Sequence, residues 1–586
     1  MPAATQVSGK NTEALFSLKI HRGEGMALIA MNWREGRPPD DFSGFAIEYQ
    51  EPGGDRFYAL KNRLSFPPAP AAAPAPAGAT ASHAPKFLTT ECPIQAFRWV
   101  HFPRNADLAG LFRYRVTPRF MNANGELSSG APQTADIELA AETYPDQLNI
   151  VFTRGYVSSQ SFTDTYGGAE GIRTLMPEKA DDGLTFTPSH AMKDEAYKWM
   201  GFEARREILA VLDSAIADPT AQVSVIAYDL NLPELVERLE KLEGRLRVII
   251  DDSVDTKKTG EKIGHGAPGS AEEQAALRLT AKLGAANVKR QHMLSLQHNK
   301  SIVVSGDRVK TAIGGSTNFS WRGFYIQANN AIIVKGADAI KPFADAFDAY
   351  FNNADAFKKS GAVKVSPLGL AGIDASVTFS PHGKASAQLG LIAAEISGAK
   401  SSVFYSLAFL AKTTGAVRDA LAQATNDDKI FVYGMAEGNT KFIIENPDGN
   451  KAPVFFKALS KAAPAPFKIE SDGEFGTHIH HKFVVIDFDV PDKAKVICGS
   501  YNFSKPADEQ NGENLFFIKD HRIAVSYMVE ALRLFDTYSF RIRFNEAKKV
   551  KQPFALKRPP KGAGEKPWFD EFYTKPQRVR DRELFS

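Results

Sequence analysis

The 586 residues predict an α/β chain built of two similar α/β/α halves around one pseudo-twofold site, preceded by an N-terminal β-sandwich domain. Three observations carry this. Helix-period and strand-like segments alternate after Leu148, the same order returns after Pro381, and the residues before about 145 hold only short aromatic or β-branched runs.

Residues 1–146 read as the sandwich. Phe45 to Tyr49, Ala96 to His101, Phe112 to Phe120 and Thr134 to Ala140 are strand-like, with Gly, Pro, Asn and Asp between them, in the manner of a fibronectin type III or immunoglobulin-like domain. The Pro/Ala tract 67–85 inside this region predicts an extended loop. Residues 147–365 form the first half. The amphipathic AYKWMGFEARREILAVLDSAIA leads into the apolar run Val223 to Tyr228, then the helical PELVERLEKLEG and the strand RLRVIIDD. Residues 366–545 repeat this with AQLGLIAAEISGA, SVFYSLAFL, AVRDALAQATNDD and IFVYGMAE. Residues 546–586 are a basic, Pro-rich, aromatic-studded extension, read first as surface-wrapping and second as an arm for nucleic acid or a membrane surface.

Composition narrows the class. With 43% hydrophobic and 24% charged residues the chain is globular, and at roughly 100–200 residues per domain it makes about three or four units. A net charge of +3 is too mild to imply nucleic acid by itself. Cys92 and Cys498, far apart in sequence, make neither a disulfide framework nor a C-x-x-C metal pair, which suits a reduced compartment. The N-terminus lacks a basic region followed by an apolar core, and no 18 apolar residues run together. The expectation is a soluble cytoplasmic protein, or one exported by a route without a cleavable signal peptide.

The chemistry sits in two spaced motifs. His480, Lys482 and Asp487 stand as H-x-K-x4-D ahead of Gly499-Ser500-Tyr501-Asn502 and Glu513; side chains two apart share a strand face, so His480 and Lys482 point together. His298-Asn299-Lys300 precedes Gly315-Ser316-Thr317-Asn318-Phe319-Ser320, which nearly repeats GSYNFS. The apolar strand precedes each histidine by a similar distance, 75 positions from Val223 to His298 and 77 from Val403 to His480. His382-Gly383-Lys384 is a decoy with no G-S-x-N after it. The pair of motifs resembles the phospholipase D superfamily, whose members carry two copies per active site. The first copy departs from the pattern, with Ser305 where the motif has aspartate and Asp307 two positions on.

Phosphodiester hydrolysis needs a nucleophile, a proton donor for the leaving oxygen, and cations for the non-bridging oxygens. Two histidines, which titrate near neutrality, fill the first two roles. Lys300 and Lys482 supply charge and Asn318 and Asn502 amide donors, while Ser316, Ser500, Asn329 and Asp487 support the site. Neither motif is accompanied in sequence by a dense carboxylate cluster, so no metal or other cofactor is expected. The resemblance implies the same, with a covalent phosphohistidine intermediate. Glu513 follows His480 by 33 positions, whereas Asn329 follows His298 by 31. Each is taken as the partner of the histidine in its own copy, so the carboxylate favours an imidazolium at His480 and the amide leaves His298 neutral, which makes His298 the nucleophile and His480 the general acid.

Other residues are read as structural first. His292, His478, His481 and Arg154 are taken as local polar contacts, and Trp321 and Phe324 as core before substrate contacts. The function expected is a phosphodiesterase acting on phospholipids; a nuclease is the runner-up, and a phosphate-binding adaptor without activity the reading from another class. Because both motifs lie in one chain, a monomer suffices for the site.

Overall fold

The computed structural model describes residues 2–67, 87–155, 162, 165–408, 415–436, 444–445, 451–452, 479–549, 554–562 and 564–586. The predicted loop 67–85 beyond Pro67, and His478, lie outside them. The chain divides into two compact units, one chiefly Met1–Ala141 and Val525–Ser586, the other chiefly Glu142–Ile444 and Ala452–Ala524. No described helix is long and apolar enough to cross a membrane, and Cys92 and Cys498 are both buried and free.

The first unit holds a four-stranded and a five-stranded antiparallel sheet, with a short two-stranded pair beside them in sequence, Lys61–Asn62 with Phe87–Leu88. One has the order β1 (Gln6–Ser8), β2 (Phe16–Gly23), β3 (Met26–Trp33), β6 (Arg98–His101). The other joins β5 (Tyr58–Ala59), β4 (Phe42–Gln50), β7 (Leu111–Met121) and β8 (Leu127–Ser129), with β9 (Gln133–Glu138) also on β7. Alternation in β7 does the sorting. Phe112, Tyr114 and Val116 turn into the core, while Arg113 and Arg115 face out and pair across the strands with Asp136 and Glu48, each at 2.8 Å. Residues of both sheets meet in one apolar core.

The C-terminal extension expected from residue 546 requires correction. Trp568 and Phe569 lie in this same core, Trp568 stacked on Phe97 at 5.5 Å and donating Nε1–H to the Phe42 carbonyl at 3.0 Å. Clustered aromatics are costly to leave in water, and this segment buries them as part of a core.

The second unit contains two seven-stranded mixed sheets. In the first the order is β10 (Leu148–Phe152), β16 (Asn330–Lys335), β15 (Lys310–Gly315), β14 (Ser301–Ser305), β11 (Gln222–Ala227), β12 (Leu246–Ile250), β13 (Val288–Arg290). In the other it is β17 (Ser366–Pro367), β18 (Asp374–Ser380), β23 (Glu513–Lys519), β22 (Lys495–Gly499), β21 (Lys482–Ile486), β19 (Ser402–Leu407), β20 (Phe431–Ala436). β-α-β crossovers supply the parallel pairs, β11 with β12 and β12 with β13 in the first sheet and β19 with β20 in the second. The strands nearest the motifs are buried throughout, which is why KFVVI and SIVV read as continuous apolar runs. Helices α1 (Lys193–Ala217), α2 (Pro233–Glu240) and α3 (Ala271–Leu283) share a core with the first sheet, α4 (Ala337–Asn353) packs on β14 and β15, and α5 (Leu389–Ser397) and α6 (Ala416–Asn426) pack beside the second. The amphipathic segment read as one helix is broken at Phe202, whose φ of 46° leaves the helical region.

Asp487 shows what the last position of the motif does. Its carboxylate accepts the backbone N–H groups of Lys400, Ser401 and Ser402 at 2.9, 2.7 and 3.1 Å, fastening the turn after β21 to the entry of β19. Ser305 cannot do this in the other sheet. There Asp218 reaches across from the facing loop instead, accepting from the Arg308 N–H at 2.9 Å and from the Thr220 N–H and hydroxyl. The carboxylate has changed sides while the two loops stay tied. Asp487→Ala leaves three backbone donors without their acceptor, the Ser402 N–H among them buried, and is expected to cost about 1–3 kcal/mol in a urea melt, and Asp218→Ala is expected to lower the same midpoint.

Candidate active site

Each H-x-K lies where the chain enters a central strand, β14 or β21, and each G-S-x-N where it leaves the neighbouring one, β15 or β22. The glycine is required there. Gly315 and Gly499 have φ of 125° and 143°, and a Cβ would lie 2.6 Å from the Asn330 carbonyl oxygen or 2.3 Å from that of Asn514. The serine then makes the same bonds in both copies. Ser316 Oγ donates to Asn329 Oδ1 at 2.8 Å and Ser500 Oγ to Glu513 Oε2 at 2.7 Å, while the two serine N–H groups donate to Asn330 Oδ1 and Asn514 Oδ1.

The two motifs come together. The His298 and His480 rings lie 6.3 Å apart, centroid to centroid, and both side chains are buried. Backbone and side chains cross between the sheets to hold them: Gly512 N–H donates to Leu296 at 2.8 Å, His480 N–H to Ala328 at 3.1 Å, and Asn514 Nδ2 to Asn299 Oδ1 at 2.7 Å. Lys300 and Lys482 are buried and each donates to the carbonyl of its own motif histidine, Lys482 at 2.7 Å. The carboxamides of Asn318 and Asn502 bond no described residue, and the Oδ1 of each is buried.

The expected pairing within each copy is overturned. His298 Nδ1 lies 2.7 Å from Glu513 Oε2, and His480 Nδ1 lies 2.8 Å from Asn329 Oδ1 and 3.2 Å from the Ser316 carbonyl. Each histidine is thus oriented from the other sheet, because the rings meet across the junction and the strand carrying each partner faces the opposite motif. Asn329 Nδ2 donates to the Gly323 carbonyl at 2.9 Å, which turns its oxygen toward His480. All these partners accept, so both rings carry hydrogen on Nδ1.

Burial, with Lys300 and Lys482 close by, holds both histidines well below the ordinary imidazole range. Burial brings Lys300 down to about 8 and raises Glu513 to about 8. Glu513 is also bonded by Ser500 and, at 3.3 Å, by Asn511 Nδ2. An arriving phosphodiester anion favours protonation of one imidazole beside it.

The remaining candidates fall elsewhere. His382 is fully buried between Asp508, 2.7 Å from Nδ1, and the Thr378 hydroxyl. His292 pairs with Asp252 at 2.7 Å, and His481 packs against Phe152 and Phe483. The Arg154 guanidinium lies over the Trp199 and Phe202 rings. Trp321 and Phe324, on a five-residue π-helical turn and the residue before it, are core, Trp321 donating to the Gly183 carbonyl at 2.9 Å.

One group was missed in sequence. The expectation that no carboxylate cluster accompanies the motifs is corrected by Asp229, Asp251 and Glu272, which surround His265 beside Tyr228. The Tyr228 ring lies 4.7 Å from that of His298 and 4.6 Å from Lys300 Nζ. The members come from the segments after β11 and after β12 and from the start of α3, and no motif spacing joins them.

A family model described as "Cardiolipin synthase, PLD-like domain" matches the chain twice, over residues 212–353 and 392–534, and each match contains one H-x-K and one G-S-x-N. The chain belongs to the phospholipase D superfamily. Curated relatives within it match over short stretches. A Rickettsia conorii protein named phospholipase D is 37% identical over 73 residues, 12% of this chain and 34% of the relative. Its Rickettsia prowazekii namesake is 45% identical over 49 residues, 8% of this chain and 22% of the relative. The chain therefore spans about a third or less of the length of these curated relatives. Among solved structures, phosphatidylserine synthase of Haemophilus influenzae aligns over 66% of this chain and 93% of its own, at 12% identity and a TM-score of 0.37.

Proposed function

We propose that this superfamily member is a phosphodiester hydrolase working through a phosphohistidine on His298, with phospholipids as its substrate class. The observation that supports it is the pair of imidazoles 6.3 Å apart, each oriented through Nδ1 by a partner from the other sheet. That separation suits one phosphoryl group and its leaving oxygen. On this reading the two seven-stranded sheets are halves of a pseudo-twofold catalytic unit, residues 147–365 and 366–545, and residues 1–146 supply a β-sandwich.

His298 Nε2 attacks phosphorus and the P–O bond to the leaving alcohol breaks, its oxygen taking the Nε2 proton of His480. Water then attacks the phosphohistidine, giving its proton to His480, and the P–N bond breaks. Lys300, Lys482 and the Asn318 and Asn502 carboxamides hold the non-bridging oxygens.

The carboxylate decides which ring attacks, for a reason opposite to the sequence argument. Attack turns His298 into a cationic phosphoimidazolium, and that charge draws the Glu513 carboxyl, raised to about 8 by burial, into its ionised form, which stabilises it in return. Asn329 orients His480 without raising its pKa as a carboxylate would, so it stays a stronger acid.

The relatives' name and the family description both point to phospholipid chemistry, which favours lipid over nucleic acid. The test is incubation with phosphatidylcholine or phosphatidylethanolamine liposomes and, separately, with plasmid and single-stranded DNA. Headgroup release from liposomes is expected. Cleavage of DNA alone would make the protein a nuclease, and no product with no phosphoenzyme would leave a phosphate-binding adaptor.

A further inference from the structure

We propose that Asp229, His265 and Glu272 form a site for one divalent transition-metal cation, zinc or manganese, separate from the histidine pair. His265 Nε2 lies 3.2 Å from Asp229 Oδ1 and 4.0 Å from Glu272 Oε2, and one ligand atom from each residue lies within 4.8 Å of the others. A tetrahedral ion with nitrogen and oxygen ligands at ~2.0–2.2 Å sets those ligands ~3.3–3.6 Å apart. Bringing ligand atoms that now lie within 4.8 Å to that spacing takes side-chain adjustment of about an ångström.

The Glu272 carboxylate turns one oxygen toward the imidazole. Its side chain is 5% exposed. Oε1 accepts the Leu230 N–H at 3.1 Å, while Oε2 accepts nothing from another described residue and faces the imidazole. The nearby cations leave it so. Lys300 donates to the His298 carbonyl and Arg290 to the His265 carbonyl, and neither hydrogen-bonds Asp229, Asp251 or Glu272.

The surroundings are those that orient metal ligands. His265 Nδ1 is held by Asp251 Oδ2 at 2.9 Å, which aims Nε2 at Asp229 and Glu272. Asp251 is fixed in turn by the Gln297 N–H at 2.6 Å and the Ser253 N–H at 3.1 Å, and Asp229 Oδ2 by Ser320 Oγ at 3.1 Å. One imidazole with two carboxylates suits zinc or manganese better than magnesium or calcium, which favour all-oxygen sites. The ion would tie the segment carrying His265 to the end of β11. Tyr228, 4.4 Å from the His265 ring and 4.7 Å from that of His298, would be held by it. The site stands whether or not the proposed reaction does.

The test uses the full chain, stripped with chelator and dialysed against zinc chloride or, separately, manganese chloride, with bound metal measured by mass spectrometry and stability by thermal melt. One equivalent of zinc or manganese is expected, with a melting midpoint raised by the metal and lowered again by EDTA. The double variant His298→Ala/His480→Ala is expected to keep that equivalent, whereas Glu272→Gln and Asp229→Asn each weaken binding at least tenfold. Substoichiometric binding by the unaltered chain overturns the proposal. So does a metal lost with the two active-site histidines but retained by Glu272→Gln. Should one carboxylate variant fail to fold, the other and the histidine double variant still decide.

Discussion

His298→Ala is expected to reduce turnover by on the order of 10⁴–10⁶-fold, the scale seen when a covalent nucleophile is removed, and to leave no acid-labile phosphoenzyme. His480→Ala should behave differently. A poor leaving group needs a proton, so with a simple alkyl phosphodiester the loss is about 10²–10⁴-fold. An aryl ester with an acidic phenol leaves unaided, so phosphorylation of His298 stays fast. Hydrolysis then lacks its base, and a labelled phosphoenzyme accumulates. A quench with ³²P-labelled substrate reads both variants. Label accumulating in His298→Ala and absent from His480→Ala would reverse the roles.

Exchanging the character of the two partners gives the second large effect. Glu513→Gln keeps the shape and a hydrogen-bond acceptor for His298 Nδ1 but removes the charge opposite the developing phosphoimidazolium, and is expected to slow phosphorylation by about 10²–10³-fold. Asn329→Asp acts on the other ring. Burial and the two lysines hold His480 below its ordinary range, and a carboxylate 2.8 Å from Nδ1 stabilises the imidazolium and raises that pKa. The acid form then survives to higher pH, so the alkaline limb of the kcat profile moves upward. If Asn329→Asp instead displaces the limb set by His298, the crossed pairing is wrong.

Local chemistry was legible without coordinates. The two H-x-K and G-S-x-N runs mark the groups that the fold gathers in one place, because a strand places alternate side chains on one face and the glycine permits the backbone's approach. The helix and strand periods after Leu148 likewise read as an α/β chain.

What the sequence by itself determined is therefore the inventory: two imidazoles, two ammonium groups, two carboxamides, and the strands that carry them. Only the tertiary structure decided who faces whom. Glu513 reaches His298 across 215 positions, Asp218 replaces the carboxylate missing at Ser305, Asp229, Asp251 and Glu272 gather around His265, and Trp568 completes a core that includes Phe16. Periodicity reports the face a side chain takes on its own strand or helix. The surface packed opposite is selected by the burial of apolar groups distant in sequence, and that selection leaves no local mark.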